Sequence, residues 1–473
     1  MAVALLVAAC VPGRPAAPAS ATPPAVAGEG GGSRLTAEQG FALITQAYVI
    51  LLDQYVGDVD PVALLDAAWS GFVEALPAGV PRPAPPVLSG TDPMGDLRRF
   101  REAYLDAAAR AGGGLELQAM LAHAAARRMA ASLNDCHTSF SDPQQAQDQD
   151  ARLRGQVRFA GIGVRIKRAN GNGFGEAAGG ATPAPSDAGT SSAAKGPILI
   201  WELLDGGSAG KAGIRPGDAI LKVDGHDVSS LTLDEVAALI RGPEGTKVRL
   251  TIQRADGRRT QDFVLPRVPV VDPVVQTRWL PGEIGYVRLS SFTRTAEDEL
   301  RHALGDFERR GVKGWILDLR TNTGGDLPAV LSTLSKFLKD GPFGYEVDRR
   351  GAQSALGPDG TYLPRQHPMV VLVGDSSASG AELFAAAVQR YRAATLVGTR
   401  TSGCLGIGSA IDLTDGSRLL VTVQKLLGPG GEELNKAGVV PDQVVEISRA
   451  ELASGKDPQL QRALAILGAP AAR

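Results

Sequence analysis

The sequence predicts an α/β protein in which a helical N-terminal region and a small β module precede a mostly parallel sheet covered on both faces. Beyond residue 269, short apolar stretches alternate with segments of helical periodicity. Two of these stretches, residues 315–319 (WILDL) and 369–373 (MVVLV), are almost continuously apolar, which is typical of strands buried on both faces. At 473 residues the chain also exceeds the length at which one core stops growing, so several domains are expected.

Residues 1–10 are predicted to be a lipoprotein signal segment. An unbroken apolar run from residue 2 ends at Cys10, and residues 7–10 (VAAC) resemble the lipobox of bacterial lipoproteins. The resemblance implies that Cys10 is lipidated and that the body is extracytoplasmic, anchored to a bacterial membrane. The run departs from the usual pattern because no basic residue precedes it. An apolar stub with a chance cysteine is the alternative.

The next two regions are predicted to be a tether and a set of helices. Residues 11–34 are Pro-, Ala-, Gly- and Ser-rich, so they cannot bury enough apolar surface to fold and are predicted to be disordered. Thr36 and Gln39 have capping-box spacing and begin a helical N-terminal region over residues 35–155. Helices are expected up to residue 76 and over about 95–133, separated by a Pro-rich break.

Short strands follow, first in a β module over residues 156–267 and then in an α/β domain over residues 268–446. In the module, residues 158–166 alternate in polarity, and a Gly- and Ser-rich segment over residues 170–196 is predicted to be a disordered loop. One helix is expected at residues 233–241. In the α/β domain, helices are expected at residues 297–310, 327–338 and 381–392. Residues 447–473 are predicted to form a helical tail.

Composition excludes several classes of function. Lys plus Arg number 49 against 51 Asp plus Glu, and no basic block is present, so nucleic acid is not an expected partner. The five His are scattered and the cysteines lack CxxC spacing, so neither a metal site nor a cofactor is predicted. After the N-terminus, no stretch reaches the roughly 18–20 apolar residues of a membrane-spanning helix.

The β module resembles a circularly permuted PDZ domain of the bacterial type. The resemblance rests on residues 206–225 (GGSAGKAGIRPGDAILKVDG), the helix at 233–241 and a closing strand at 246–254. PDZ domains add a peptide as an extra strand and hold its terminal carboxylate in a nest of backbone N–H groups. The matching carboxylate loop is at residues 159–163, and the peptide-binding residues implied are Phe159, Gly161, Ile162 and Gly163. A Gly-rich entry to a strand is the alternative.

Residues 316–326 (ILDLRTNTGGD) closely resemble the "DLRxNxGG" signature of tail-specific, or C-terminal processing, serine peptidases. This resemblance implies a crotonase-like (ClpP/crotonase) catalytic domain. It also implies that the N–H of Gly324 stabilises the oxyanion, because N–H groups at a helix N-terminus point to where negative charge develops. Asp318 and Arg320 are expected to be structural.

Residues 374–382 (GDSSASGAE) resemble the "SASxxE" segment of the same family, and alignment on Glu382 makes Ser379 the nucleophile. A serine at a helix N-terminus gains from the positive end of the helix dipole when it becomes an alkoxide or an adduct. Gly380 would be the second oxyanion donor. A cluster of N-capping serines is the alternative.

The sequence departs from the family at the general base. The family's Lys falls on Cys404 here, so the usual Ser–Lys pair is absent. Residues 133–140 (LNDCHTSF) resemble the "DxHT" segment of the tricorn-like branch, in which the His is the base, and this implies a catalytic His137. Glu433 is the residue predicted to orient it, with Asn435 equally plausible. A structural, capping role is the alternative for His137.

If Cys10 is lipidated, Cys136 and Cys404 remain in an oxidising compartment and are predicted to form a disulfide, with two free thiols as the alternative. The prediction for the whole chain is an exported serine endopeptidase that binds protein C-terminal tails and cleaves by acyl transfer to Ser379. Its main rival is a catalytically inactive, peptide-binding lipoprotein, which the missing Lys favours. Acyl-thioester chemistry on a crotonase-like sheet is a second rival.

Overall fold

The computed structural model describes residues 33–153, 159–170, 173–177, 196–231, 233–270, 272–363 and 367–470. The predicted signal segment with Cys10 and nearly all of the predicted tether lie outside these residues. Within them, no helix combines the length and the apolar character that crossing a membrane requires.

The N-terminal region is a helical unit with its own apolar core. Its four long helices are α1 Ala37–Gln54, α2 Pro61–Glu74, α3 Pro93–Ala111 and α4 Leu115–Ala131. Thr36 and Gln39 form the predicted capping box, since each side chain accepts the backbone N–H of the other. The helical region expected over about 95–133 consists of two helices, α3 and α4, because Gly112 and Gly113 both adopt positive φ values between them.

After α4 come strand β1 Ser139–Ser141 and helix α5 Pro143–Leu153, which the sequence analysis did not predict. Asp142 and Gln145 flank the start of α5 and hydrogen-bond each other's backbone N–H groups. This reciprocal pair explains why a helix begins there.

The β module is built around one antiparallel sheet. Its elements are β2 Phe159–Gly161, β3 Val164–Asn170, β4 Gly173–Ala177, β5 Ile198–Leu203, α6 Ser208–Lys211, β6 Ala219–Val223, β7 His226–Asp227, α7 Leu233–Ile240, β8 Lys247–Gln253, β9 Thr260–Pro266 and β10 Val268–Val270. The strand order is β4-β3-β5-β6-β8-β9 with β7 on β6, while β2 and β10 form a separate ribbon. The predicted disordered loop at 170–196 is therefore wrong for residues 173–177, which pair with β3 as a strand.

The remaining chain forms an α/β domain. Its elements are β11 Val275–Leu280, β12 Ile284–Leu289, α8 Arg294–Arg309, β13 Gly314–Asp318, α9 Leu327–Phe337, β14 Gly344–Val347, β15 Gln353–Leu356, β16 Met369–Val373, α10 Gly380–Arg390, β17 Thr395–Gly398, β18 Gly406–Asp412, β19 Arg418–Leu427, β20 Gln443–Val444, α11 Arg449–Ala453 and α12 Pro458–Ile466.

The central sheet has the order β11-β12-β13-β16-β17-β20 and is parallel from β12 to β20. One face packs against α8, α9 and α10, and the other against α12. The predicted tail is thus part of the domain, because Leu460 and Leu464 are buried against the sheet. Burial on both faces explains the continuous apolar strands.

A second, antiparallel sheet joins the helical region to the α/β domain. Its order is β1-β19-β14-β15, and β18 pairs with β19. Because β1 follows residues 135–138 directly and pairs with β19, the segment that contains His137 is brought to the α/β domain.

Candidate active site

Ser379 lies in the turn between β16 and α10, directly before the first residue of α10. Its φ of 52° and ψ of −119° place it in a backbone conformation that non-glycine residues rarely adopt. The turn is held by the Ser379 N–H, which lies 2.7 Å from the Cys404 carbonyl oxygen and 3.1 Å from the Glu382 carboxylate. The hydroxyl group is therefore presented at the positive end of the α10 dipole.

Gly324 packs directly against this serine. A Cβ atom on Gly324 would lie 2.7 Å from the Ser379 Cβ and 3.1 Å from its hydroxyl oxygen, and the φ of Gly324 is +106°. The N–H of Gly324 donates to Oδ1 of Asn322 at 2.8 Å. The predicted oxyanion role of Gly324 therefore needs correction, because its N–H is already bonded inside the turn.

Gly380, the other predicted oxyanion donor, has an N–H group that is available beside Ser379. It is the first residue of α10, and its N–H makes no hydrogen bond within the described part of the chain. Its nitrogen is 3.0 Å from where a Cβ on Gly324 would stand, so it faces the space beside the nucleophile. Helix N-terminal N–H groups of this kind stabilise developing negative charge.

Glu382 connects the turn at Ser379 to residues 401–404 through hydrogen bonds. Its side chain is fully buried, and its carboxylate accepts hydrogen bonds from Thr401 Oγ1 at 2.6 Å, Gly403 N–H at 2.7 Å and Cys404 N–H at 2.8 Å, besides that from Ser379. Burial raises the pKa of Glu382, whereas these donors oppose the shift by favouring the carboxylate. The sequence analysis used Glu382 only to align the motif, although it fixes the geometry of the site.

His137 reaches the site through a disulfide between Cys136 and Cys404, the pair that the sequence predicts. Its Nδ1 lies 3.3 Å from Cys136 Sγ and 3.6 Å from Cys404 Sγ. The ring is half-buried, and within the described residues it makes no hydrogen bond to Ser379. Burial lowers the pKa of His137, opposed by the negative charge of Asp135.

The structure does not bring Glu433 to His137. The Glu433 side chain is exposed and accepts the Asn435 N–H at 3.1 Å. Asp135 is instead the carboxylate beside the histidine, and it accepts the backbone N–H of His137 at 2.8 Å. Asn435, the alternative, accepts the Leu405 N–H at 3.4 Å, one residue beyond the disulfide. The predicted orienting role of Glu433 is wrong, because its carboxylate lies in an exposed turn and accepts a hydrogen bond within that turn.

Asp318 and Arg320 have the structural role that was expected. The Arg320 guanidinium bonds Asp318 at 2.6 Å and Asp457 at 2.9 Å, and the Tyr286 hydroxyl donates to Asp318 at 2.7 Å. Burial alone would raise the pKa of Asp318, but these partners hold it below its ordinary value. The pair anchors α12 to the end of β13.

The predicted carboxylate loop connects β2 and β3. Ile162 is buried, and Gly163 has a φ of +74° with its Cα packed against Gly207. The carbonyls of Ile162 and Gly163 accept N–H groups from Ala209 and Leu204, which fixes the loop near the start of α6. Phe159 pairs through its backbone with Val270, and Gly161 with Val268.

A segment of the chain itself pairs with the strand that follows this loop. Strand β3 has β5 on one edge and β4 on the other, and α7 contacts both β3 and β4. Strand β4 therefore occupies the edge of β3 beside α7.

Comparison with known proteins identifies the family. The model of peptidase family S41 matches residues 283–445, and that of the PDZ domain matches residues 202–254. The carboxy-terminal-processing protease of Bartonella bacilliformis is 31% identical over 338 residues, which cover 69% of this chain and 70% of that protein. The chain belongs to the carboxyl-terminal processing peptidases. It is thereby classed with the serine-type peptidases, which are hydrolases.

Two further members of this family resemble the chain. The carboxyl-terminal-processing protease of Synechocystis sp. is 41% identical over 279 residues, covering 57% of this chain and 65% of that relative, so the match spans less than two thirds of its length. The solved photosystem II D1 C-terminal processing protease has a TM-score of 0.56 and 25% identity, over 86% of this chain and 93% of that one. The crotonase-like domain with an inserted PDZ module is thus the fold of the family.

Sequence reasoning missed two carboxylates of the candidate site. Asp135 precedes the Cys-His pair by one residue, and Glu382 closes the serine motif. Both could have been singled out, because an acidic residue within three positions of a catalytic candidate is well placed to bond the same turn. No local sequence pattern indicates that Glu382 also accepts hydrogen bonds from residues 401–404.

Proposed function

We propose that this chain is an exported, lipid-anchored serine endopeptidase that binds protein C-terminal tails in its PDZ domain and cleaves them through Ser379. The observation that carries the proposal is the turn at Ser379. The turn presents a serine at the N-terminus of α10, packed on Gly324 and with its N–H donated to the Cys404 carbonyl. The Cys404 side chain forms a disulfide with Cys136, which precedes His137.

The proposed reaction is acyl transfer followed by hydrolysis. The Ser379 hydroxyl oxygen attacks the scissile carbonyl carbon while its proton passes to the neutral imidazole of His137. The Gly380 N–H donates to the oxyanion of the tetrahedral intermediate. The imidazolium returns the proton to the leaving amine as the C–N bond breaks. Water then releases the acyl group by the same steps in the second half-reaction.

His137 is the base in this proposal because its lowered pKa keeps the ring neutral and able to accept a proton near neutral pH. Asp135 stabilises the imidazolium that forms, since it is the neighbouring carboxylate. Hydrogen bonds between a nucleophile and its base are often long without substrate and tighten in the complex. The absence of a Ser379–His137 bond among the described residues is compatible with that behaviour.

Substrate binding is assigned to the PDZ module. Its carboxylate loop, with Gly161, Ile162 and Gly163, would hold a terminal carboxylate, and the peptide would take the place of β4 on the edge of β3. Export and lipid attachment are supported by the apolar segment that ends at Cys10 and by a disulfide, which persists in oxidising compartments.

The proposal is tested by labelling the protein with a fluorophosphonate probe, in wild type and in the variants Ser379→Ala and His137→Ala. Both substitutions are expected to abolish labelling, with Ser376→Ala as a matched control that retains it. Labelling that survives His137→Ala but not Ser379→Ala would reject His137 as the base.

A catalytically inactive, peptide-binding protein of the same fold is the second candidate. The observation that favours it is Cys404, a disulfide-bonded residue where the family resemblance places the catalytic Lys. No labelling of the folded wild type, together with binding of peptides that have a free C-terminus, would establish this second function and overturn the first.

A further inference from the structure

Cys136, His137 and Cys404 place two sulfur atoms and one imidazole nitrogen within 4.8 Å of one another. Two thiolates and an imidazole are a frequent ligand set for Zn²⁺. The sequence predicts no such site, because residues 136 and 404 lack CxxC spacing and meet only through the pairing of β1 with β19. We propose that reduction of the disulfide converts this trio into a Zn²⁺ site.

The geometry of the histidine already suits a tetrahedral ion. With Zn–N near 2.0 Å and Zn–S near 2.3 Å, the nitrogen and each sulfur of such a site stand about 3.5 Å apart. The observed distances from His137 Nδ1 are 3.3 Å to Cys136 Sγ and 3.6 Å to Cys404 Sγ. Only the two sulfurs need to separate, to about 3.8 Å, which side-chain rotation after reduction can supply.

The surroundings favour a cation. Asp135, whose carboxylate accepts the backbone N–H of His137, brings negative charge beside the trio. Cys404 is buried, whereas Cys136 and His137 are half-buried, so two of the three ligands are partly accessible to solvent. Three protein ligands leave the fourth position of the ion to water.

A dithiol or a phosphine can reduce the Cys136–Cys404 disulfide. Two electrons break the S–S bond and each sulfur takes up one proton, while the dithiol closes to a disulfide or the phosphine is oxidised to its oxide with oxygen from water. Binding of Zn²⁺ then releases the two thiol protons, and His137 donates its Nδ1 lone pair. Its remaining proton is then on Nε2.

One consequence rests on the proposed function. An imidazole that holds Zn²⁺ at Nδ1 and a proton at Nε2 cannot accept the proton of Ser379. The oxidised chain would therefore react with the fluorophosphonate probe, and the reduced, Zn²⁺-loaded chain would not.

The test uses the full chain with Cys10→Ser, since the sequence holds three cysteines and this change leaves only the proposed pair. Metal-free protein, reduced with a phosphine, is titrated with Co²⁺ while the thiolate-to-cobalt charge-transfer absorption is followed. We expect one Co²⁺ per chain, displaced by one equivalent of Zn²⁺, and no such absorption in the oxidised chain.

Two variants and a control identify the ligands. His137→Ala and Cys404→Ser should each weaken Co²⁺ binding at least about tenfold, whereas His302→Ala, an exposed histidine of α8, should leave it unchanged. Reduced protein without charge-transfer absorption, or with unchanged binding after His137→Ala, would overturn the proposal. If a variant does not fold, the comparison of Co²⁺ absorption between the oxidised and the reduced form of the Cys10→Ser chain still tests the metal site. Absence of probe labelling in every form would count against the peptidase function and not against the metal site.

Discussion

Ser379 keeps its positive φ because its N–H is held by the Cys404 carbonyl and the Glu382 carboxylate. Gly324 fills the space behind it, and a side chain there would collide with the serine itself. Backbone strain of about 1–3 kcal/mol at such a residue persists only where its neighbours fix it. The position of the Ser379 hydroxyl thus depends on Glu382 and Gly324, neither of which takes part in the proposed reaction.

We expect Gly324→Ala to reduce the rate of fluorophosphonate labelling of Ser379 by about 100-fold, since a displacement of about 1 Å at a reacting group has that effect. The cause is the 2.7 Å approach of the new Cβ to the Ser379 Cβ, added to a φ of +106°. The matched control is Gly357→Ala, where an added Cβ meets nothing within 4 Å. Equal labelling of the two variants would contradict this account.

The pH dependence of labelling should report the lowered pKa of His137. A neutral imidazole is required, so labelling should fall as the pH drops through a pKa below the usual value of about 6.5. In the window between that lowered pKa and about 6.5, the unfolded chain binds a proton that the folded chain does not. The free energy of unfolding should therefore also decrease as the pH drops through this window. Labelling rates measured against pH give the midpoint. An acidic limb centred above 6.5 would exclude this assignment.

Among the single elements, strand β4 lies where a peptide would bind to the PDZ module. It runs antiparallel to β3, from Gly173 opposite Asn170 to Ala177 opposite Ile166, so it points towards the carboxylate loop. A peptide bound by strand addition, with its C-terminus at that loop, would run in the same direction on the same edge. Under the proposed function, the chain's own strand would therefore compete with a substrate tail.

Deleting residues 171–195 should therefore increase the affinity for a peptide with a free, apolar C-terminus. Because Arg168 already pairs with Ile198, the deletion leaves a four-residue Ala169-Asn170-Gly196-Pro197 connection, which contains the turn-forming Asn-Gly pair. Fluorescence anisotropy of a labelled peptide measures the change, with its C-terminally amidated form as control. Unchanged affinity after the deletion would show that β4 does not obstruct the groove.

At the scale of the whole molecule, a buried network of charges joins the PDZ module to the α/β domain. Arg288 on β12 contacts Glu202 of β5 at 2.5 Å and Asp272 at 2.9 Å, and Arg165 of β3 pairs with the same two carboxylates. Nearby, Lys167 of the module contacts Asp375 at 2.6 Å, in the loop that leads to the nucleophile. These contacts fix the module relative to the turn that contains Ser379.

Arg288→Met should lower the free energy of unfolding by about 2–3 kcal/mol, because it leaves Asp272 and Glu202, whose side chains are 11% and 35% exposed, with one guanidinium between them. Arg288 is only 5% exposed. Urea denaturation followed by tryptophan fluorescence measures the effect. The control, Arg259→Met, removes an exposed pair with Asp256 and should cost less than about 1 kcal/mol. Coincident unfolding curves for both variants would show that the network does not stabilise the interface.

The α/β class, the PDZ module and the family motifs around Gly324 and Ser379 could be predicted from the sequence, because these features depend on local patterns. Continuous apolar strands predict a doubly covered sheet, and the serine and glycine motifs are contiguous segments whose turns form from neighbouring residues. The pairing of Cys136 with Cys404 could also be inferred, since excluding Cys10 left only one possible pair.

The groups that surround Ser379 become clear only in the folded chain. The tertiary structure placed Asp135 rather than Glu433 beside His137, gave the Gly324 N–H to Asn322, and turned part of a predicted loop into β4. The contacts of Asp135 and Asn322 join residues two positions apart, and β4 is the next strand after β3. The site also needs contacts between more distant segments, such as those of Glu382 with residues 403 and 404 and of β1 with β19. Local periodicity and spacing carry no information about those distances, because long-range packing sets them.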